Sequence, residues 1–339
     1  SRVVMVHLLR RRTKGCRNPE HLQNDNHSQS GFHLSARFWS RTVLAGGVLA
    51  VFASCLPARA AQLTVVAVDG TLCDITRTLA SSAAAVTCLI PPGGDPHGYR
   101  LKPSDRQALA KADLVLHNGF GLTPSASKIT TSGKVVAVGN VALPRYKGND
   151  PHIWHDPANS AAMVTVVANS MAPLLPQAER AALGARAAKA KAVFVALGGW
   201  AGAQFSGLPA AKRVLVTDHQ TYSHLASRYG LKEISMLDSY TTGGVLRPSS
   251  FQTITAVVKA SGAEVIFTSS LPANKTLRRI SRSTGLPIAK PPLYGEGVAS
   301  GQTAVSTATL NICTIVNGQG GRCDRGAAEK LAQRWSAIP

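Results

Sequence analysis

From residue 63 onward, short apolar runs alternate with amphipathic stretches. Residues 63–68 are apolar and β-branched and predict a strand, and 71–84 follow with helical composition. The strand pattern returns at 86–90, after which Pro91-Pro92-Gly93-Gly94-Asp95-Pro96 stops regular structure. Ser104 can cap a helix running to Ala112, and 114–116 and 134–138 read as further strands. Pro157 opens another helix, and 177–205 are alanine-rich, carry spaced Arg and Lys and lack proline, as one long helix requires. Its glycines, Gly184, Gly198 and Gly199, weaken the helical preference locally. The rhythm then restarts, with strands at 213–217, 233–236, 264–268 and 286–289 and helices at 221–229, 248–260 and 271–284. No element is predicted beyond that last strand. Such alternation predicts an α/β fold of two lobes, each a mainly parallel sheet flanked by helices, joined by one long helix. The boundaries expected are an amino-terminal lobe over 61–176, a linking helix over 177–206 and a carboxy-terminal lobe over 207–339. Ligands of such sheets bind beyond the carboxyl ends of the strands.

Composition narrows the class. The chain has 339 residues, 45% of them hydrophobic and 16% charged, enough apolar material for two cores. A net charge of +20 raises nucleic acid as a partner. Part of that excess sits in the first sixty residues, which leaves about +13 spread over the remainder. Only 5% of residues are aromatic, no basic run alternates with aromatics, and no helix-turn-helix, RNA-recognition or zinc-finger spacing occurs. Nucleic-acid binding is therefore not expected, and a basic surface facing an anionic membrane or membrane partner is the milder reading.

Arg37 and Arg41 precede an apolar stretch at 42–56 that ends in the small-residue motif Ala58-Arg59-Ala60, the pattern of an export signal over 37–60 cleaved near Ala60. The stretch is short for a membrane span, and a soluble periplasmic protein is expected after cleavage. Phe52-Ala53-Ser54-Cys55 loosely resembles a lipobox and offers lipid anchoring at Cys55 as the competing outcome. Residues 1–36 read as a leader or a mistaken translation start without a folded role. Downstream, Cys73 and Cys88 form one local pair and Cys313 and Cys323 another. In an oxidising compartment two disulfides are expected, with connectivity open because four cysteines allow three pairings.

The candidate chemistry lies where strands stop. His97 stands in Asp95-Pro96-His97, His152 in Asp150-Pro151-His152, and His219 in Asp218-His219, each in a turn-rich segment. His155 lies three residues beyond His152, and one of those two reads as a ligand, the other as a loop brace. His219 precedes a predicted helix whose dipole is expected to lower its pKa and keep the ring neutral. With Glu296, in Tyr294-Gly295-Glu296-Gly297, the set offers three nitrogens and one carboxylate, which tetrahedral zinc accepts.

Pro92-Gly93-Gly94-Asp95-Pro96-His97-Gly98-Tyr99 through Pro103-Ser104-Asp105, with Ala110-Lys111-Ala112-Asp113-Leu114-Val115 and Asn118-Gly119, resembles the first signature of the metal-specific solute-binding proteins of ABC importers, the ZnuA/TroA-like family. Asp150-Pro151-His152-Ile153-Trp154-His155-Asp156-Pro157 resembles the second signature, and Thr217-Asp218-His219-Gln220-Thr221-Tyr222 with Arg228-Tyr229-Gly230-Leu231 the third. The resemblance implies two lobes on a rigid helix with one divalent metal between them, ligated by His97, His152 and His219. The fourth family ligand is usually an aspartate, and Leu293-Tyr294-Gly295-Glu296 resembles its context with glutamate in its place; water could otherwise fill that position. His155, where the family usually has an apolar residue, is the reserve ligand. The resemblance implies zinc over manganese, because manganese-selective members of that family tend to offer two histidines and two carboxylates, and oxygen-rich sites suit manganese while nitrogen suits zinc. Residues 121–147 contain no histidine, so the His-rich collecting loop of many zinc members is absent.

The expected function is thus a non-catalytic, monomeric carrier that delivers Zn²⁺, or alternatively Mn²⁺, to an ABC-type membrane permease. A secreted zinc hydrolase is the competing class, but it requires a general base, and no His-Glu-x-x-His helix occurs. A siderophore or corrinoid binder would use Arg, Tyr and Trp pockets and would leave the Asp-Pro-His loops without purpose.

Overall fold

The computed structural model describes residues 62–237, 239–240 and 248–339. The segments at 1–36 and 37–60, with the expected export signal and Cys55, lie outside the described residues. Among the described residues no helix is long and apolar enough to cross a membrane.

The amino-terminal lobe is a four-stranded parallel sheet in the order β2-β1-β3-β4, formed by β1 (Leu63–Ala67), β2 (Ala84–Cys88), β3 (Leu114–His117) and β4 (Lys134–Ala137). The register pairs Val65 with Val86 on one side and with Leu114 on the other. Helices α1 (Gly70–Ala80), α2 (Pro103–Lys111), α3 (Val138–Ala142) and α4 (Pro157–Met171) connect and flank these strands. Both faces of β1 are covered, which is why its sequence is apolar without alternation: Val65 and Ala67 join one core cluster, Val66 and Val68 another.

Two boundaries differ from the expected ones for identifiable reasons. The helix expected over 71–84 ends at Ala80, because the buried Arg186 donates through Nε to the Leu79 carbonyl at 2.6 Å and so caps its carboxyl end. That frees Ala84 to pair with Leu63, and β2 begins two residues earlier than expected. Helix α2 starts at Pro103, and the residue that closes its first turn is Asp105, not Ser104: its Oδ2 accepts from the Lys102 amide at 2.8 Å and from the Tyr99 hydroxyl at 2.7 Å.

Helix α5 (Gln177–Ser206) runs 30 residues, about 45 Å at the usual rise. Its buried stripe, Leu183, Ala187, Ala190, Phe194, Leu197, Ala201 and Phe205, follows helical spacing. The Tyr229 ring lies against Gly198 and Gly202, and its hydroxyl donates to the Gly198 carbonyl at 3.1 Å.

The carboxy-terminal lobe contains β5 (Val214–His219) and β6 (Lys232–Leu237), paired in parallel, with α6 (Ser223–Tyr229), α7 (Pro248–Lys259) and α8 (Lys275–Thr284). The strands expected at 264–268 and 286–289 reduce to one parallel bridge between Ile266 and Ile288. Pro287 has no amide to donate, and the Glu264 amide goes to the Gln319 side chain at 2.9 Å, so neither segment completes a ladder. The helix expected from 271 starts at Lys275, where the Asn274 side chain accepts from the Leu277 amide at 2.9 Å.

Two helices absent from the sequence expectation complete the fold: α9 (Ala304–Gly318) and α10 (Arg325–Ser336). Both pack on α5, with Trp335 edge-on to Phe194. Asp74 of α1 accepts from the Ala304 amide at 2.7 Å, so the start of α9 is pinned to the other lobe. One disulfide joins Cys73 to Cys88, tying α1 to β2, and a second joins Cys313 to Cys323 beyond the end of α9.

Candidate metal centre

Each histidine is preceded by an aspartate that fixes the backbone leading into the ring; His97 and His152 stand in loops, whereas His219, expected in a turn, is the last residue of β5. Asp95 Oδ1 accepts from the His97 amide at 2.9 Å, Asp150 Oδ1 from the His152 amide at 3.0 Å, and Asp218 Oδ1 from the His219 amide at 3.1 Å. For His152 and His219 the same carboxylate also holds the ring: His152 Nδ1 lies 2.8 Å from Asp150 Oδ1, and His219 Nδ1 3.1 Å from Asp218 Oδ1. A ring held by Nδ1 presents Nε2 outward, the arrangement by which carboxylates orient metal-binding imidazoles. Ser269 donates to Asp218 Oδ2 at 2.6 Å, and the buried Asn118, beyond β3, donates to the Pro151 carbonyl at 2.8 Å.

The loops converge. His97 and His152 from the first lobe meet His219 and Glu296 from the second, with one ligand atom from each lying within 4.8 Å of all the others. His97 Nε2 is 3.1 Å from His152 Nε2 and 2.9 Å from Glu296 Oε2; His219 Nε2 is 2.7 Å from Glu296 Oε1. A tetrahedron of nitrogen and oxygen around zinc has edges of about 3.3 Å, so the spacing suits a small cation at the centre. The side chains are nearly sealed, His152 fully and Glu296 at 14% exposure, beside a cavity of about 170 Å³ lined by Gly93, Ser269 and residues 294–298.

The Glu296 loop is held from three directions. Asn311 of α9 accepts from the Tyr294 amide and donates to its carbonyl, both at 2.8 Å. Gly93, in the His97 loop, donates to the Val298 carbonyl at 2.8 Å. His155 Nε2 lies 2.8 Å from the Gly295 carbonyl, and its ring packs on Tyr222 at 4.5 Å between centroids. His155 is thus spent on bracing the loop and is not brought into the cluster. Burial, with the charge on His152, lowers its pKa to about 4, which keeps the bracing ring neutral.

The electrostatics reverse one expectation. Helix α6 does not offer its dipole to His219, because the Thr221 and Tyr222 amides donate to Glu233 Oε1 at 3.1 and 2.9 Å. Burial disfavours charge on the His219 ring, yet hydrogen bonds to Asp218 and Glu296 outweigh it and raise its pKa to about 10. His152 obeys the same logic, burial opposed by Asp150 and Glu296, with a net rise. Glu296 is buried as well, but three imidazoles hold its carboxyl well below the usual range. Without a cation, then, the carboxylates hold protons on the rings; a cation would take the place of those protons. Thr221 Oγ1, 2.8 Å from His219 Nε2, is a neighbour the sequence reading missed. Asp150 and Asp218 were legible only as turn residues, although an aspartate one or two positions before each histidine was the available signal.

Comparison with known proteins finds metal-binding relatives over most of the chain. The family model described as ZnuA, zinc-uptake complex component A, periplasmic, matches residues 65–318. The zinc-binding protein TroA of Treponema pallidum is 27% identical over 271 residues, covering 74% of this chain and 87% of that protein. The iron-binding protein YfeA of Yersinia pestis is 26% identical over 265 residues, covering 73% and 83%. Among solved structures, TroA superimposes with a TM-score of 0.70 at 26% identity, covering 77% of this chain and 100% of that one. The Fe(III)-bound YtgA of Chlamydia trachomatis gives 0.71 at 25% identity, covering 77% and 99%.

Proposed function

The chain belongs to the ZnuA family of metal-binding ABC-importer components, and from that membership we propose that it captures zinc outside the cytoplasm and delivers it to a membrane permease. The family is a solute-binding transporter component and not an enzyme. His97, His152, His219 and Glu296 are the ligands in this reading. The observation that carries it is the convergence of three imidazole nitrogens and one carboxylate oxygen within 4.8 Å of one another across the two lobes. Relatives are named for zinc, manganese and iron, so the cargo is argued from the donor set. Three nitrogens and one oxygen in a tight, dry site suit tetrahedral zinc, whereas manganese favours oxygen-rich sites of higher coordination.

The remaining assignments rest on the same reading. An export signal over 37–60 delivers the chain to the periplasm, with cleavage near Ala60 favoured over lipidation of Cys55. The working division is a lobe over 61–176, a linking helix over 177–206 and a lobe over 207–339, acting as a monomer. Elemental analysis of protein recovered from its native host tests the cargo. One zinc per chain supports the proposal; a full complement of manganese or iron, with zinc binding only weakly in competition, overturns the choice of metal.

A further inference from the structure

Behind His152, the Asp150 carboxylate takes the ring's Nδ1 on one oxygen, while the other, Oδ2, is buried without a hydrogen bond. The side chain that faces it comes from the opposite lobe. His224, on α6, places Nε2 4.0 Å from Asp150 Oδ2 and 3.3 Å from the Asp150 backbone carbonyl. Asn159, in the first turn of α4, places Nδ2 3.4 Å from His224 Nδ1, and the same nitrogen donates to the Ile153 carbonyl at 3.0 Å. An amide nitrogen only donates, so Nδ1 of His224 accepts and Nε2 carries the hydrogen given to the Asp150 backbone carbonyl, with Oδ2 beyond hydrogen-bond reach. Tyr146 completes the setting: its ring lies 5.0 Å from that of His224, and its hydroxyl accepts from the Asp150 amide at 3.2 Å.

We propose that His224 is a positioning residue for metal retention, a strut from the carboxy-terminal lobe that holds Asp150, and through it His152, in coordinating geometry. This inference rests on the metal-site reading above. The hydrogen bond to the Asp150 backbone carbonyl crosses the lobe boundary, so it exists only while the lobes are together, and parting them frees the segment that carries the carboxylate aiming His152. Loss of His224 therefore acts on how fast the ion leaves. Groups that orient a ligating histidine are typically worth 10–100-fold in metal affinity.

His224 lines an open groove of about 760 Å³ with Tyr146 and Arg228, so replacing it leaves no cavity inside a core. The test is zinc release from the loaded full chain into excess chelator, measured by stopped flow for wild type, His224→Phe and His224→Gln. Phenylalanine keeps the ring on Tyr146 but removes the donor, and release should be about tenfold faster or more. Glutamine places an amide N–H where Nε2–H stood and should bring release back to within about threefold of wild type, on the same donor argument. His224→Phe releasing zinc at the wild-type rate overturns the proposal, as does a glutamine variant no slower than the phenylalanine one, which would mean that packing alone matters. If His224→Phe fails to fold, Asn159→Ala, which frees the ring from the other side, should also speed release, and an unchanged rate overturns the strut. Wild-type protein that retains no zinc defeats the metal-site reading itself, before any variant is compared.

Discussion

Raising the pH from about 7 to about 8, where a free imidazole has already lost its proton, should still strengthen zinc binding at least tenfold. The reason lies in His219. Its pKa of about 10 in the metal-free protein means that the Nε2 proton shared with Glu296 must leave before zinc can bind. At neutral pH, about three units below that pKa, removing it costs about 4 kcal/mol, or roughly a thousandfold in affinity relative to the alkaline plateau. Because the ring stays protonated throughout this range, each pH unit recovers a full factor of about ten. His152, also raised, adds a second proton over the part of the range below its own pKa. The assay is a competition titration against a chromophoric chelator, corrected for the chelator's own protonation. Calorimetry in two buffers of different ionisation enthalpy counts the protons released. An affinity that is flat between about pH 7 and 8 refutes the reasoning, because it would mean ordinary imidazoles already free of protons. The same proton has a stability consequence. A raised histidine pKa stabilises the metal-free fold fully below the unfolded value of about 6.5. That contribution is lost as pH rises through about 10, so the melting temperature of metal-free protein should fall over that range.

Three further outcomes are expected. His219→Ala should weaken zinc binding far more than His155→Ala, because only the first removes a group from the cluster; titrations ranking them in reverse would place the wrong histidine at the centre. Asp69 caps α1 through the Leu72 amide but is buried, and burial raises its carboxyl to about 6. Its charge therefore weighs on the fold above that pH, and Asp69→Asn should raise stability at neutral pH by up to about 3 kcal/mol, with no gain at about pH 4, as read from denaturant titrations at both. Opening the Cys73–Cys88 disulfide, which spans 15 residues, should cost about 3 kcal/mol, measurable as a lowered midpoint for Cys73→Ser/Cys88→Ser against wild type.

How much the sequence disclosed depends on the range over which its signals act. Strands β1, β3 and β5 announced themselves because buried parallel strands are short apolar runs, and the α5 stripe repeats at helical spacing over 30 residues. His97 and His152 were legible because each sits in a loop whose prolines and aspartates forbid regular structure, and His219 because it follows an aspartate at the end of an apolar strand; family resemblance then tied the three together. Contacts set by distant residues were not legible. Arg186 decides where α1 stops from 107 residues away, and Gln319 draws the Glu264 amide out of a ladder that its own neighbours would form. Helix α9 is rich in Thr, Ser and Asn, whose helix preference is weak, and it forms against α5 and α1. The Glu233 cap on α6, which cancels the dipole expected at His219, depends on two segments meeting in space.

The central claim is a single cation held by His97, His152, His219 and Glu296, and X-ray absorption at the zinc edge of loaded protein tests it most directly. The account predicts four light ligands, three of them imidazole nitrogens, at about 2.0–2.1 Å. A six-coordinate oxygen shell, or a spectrum unchanged in a His97→Ala, His219→Ala double variant, would contradict it.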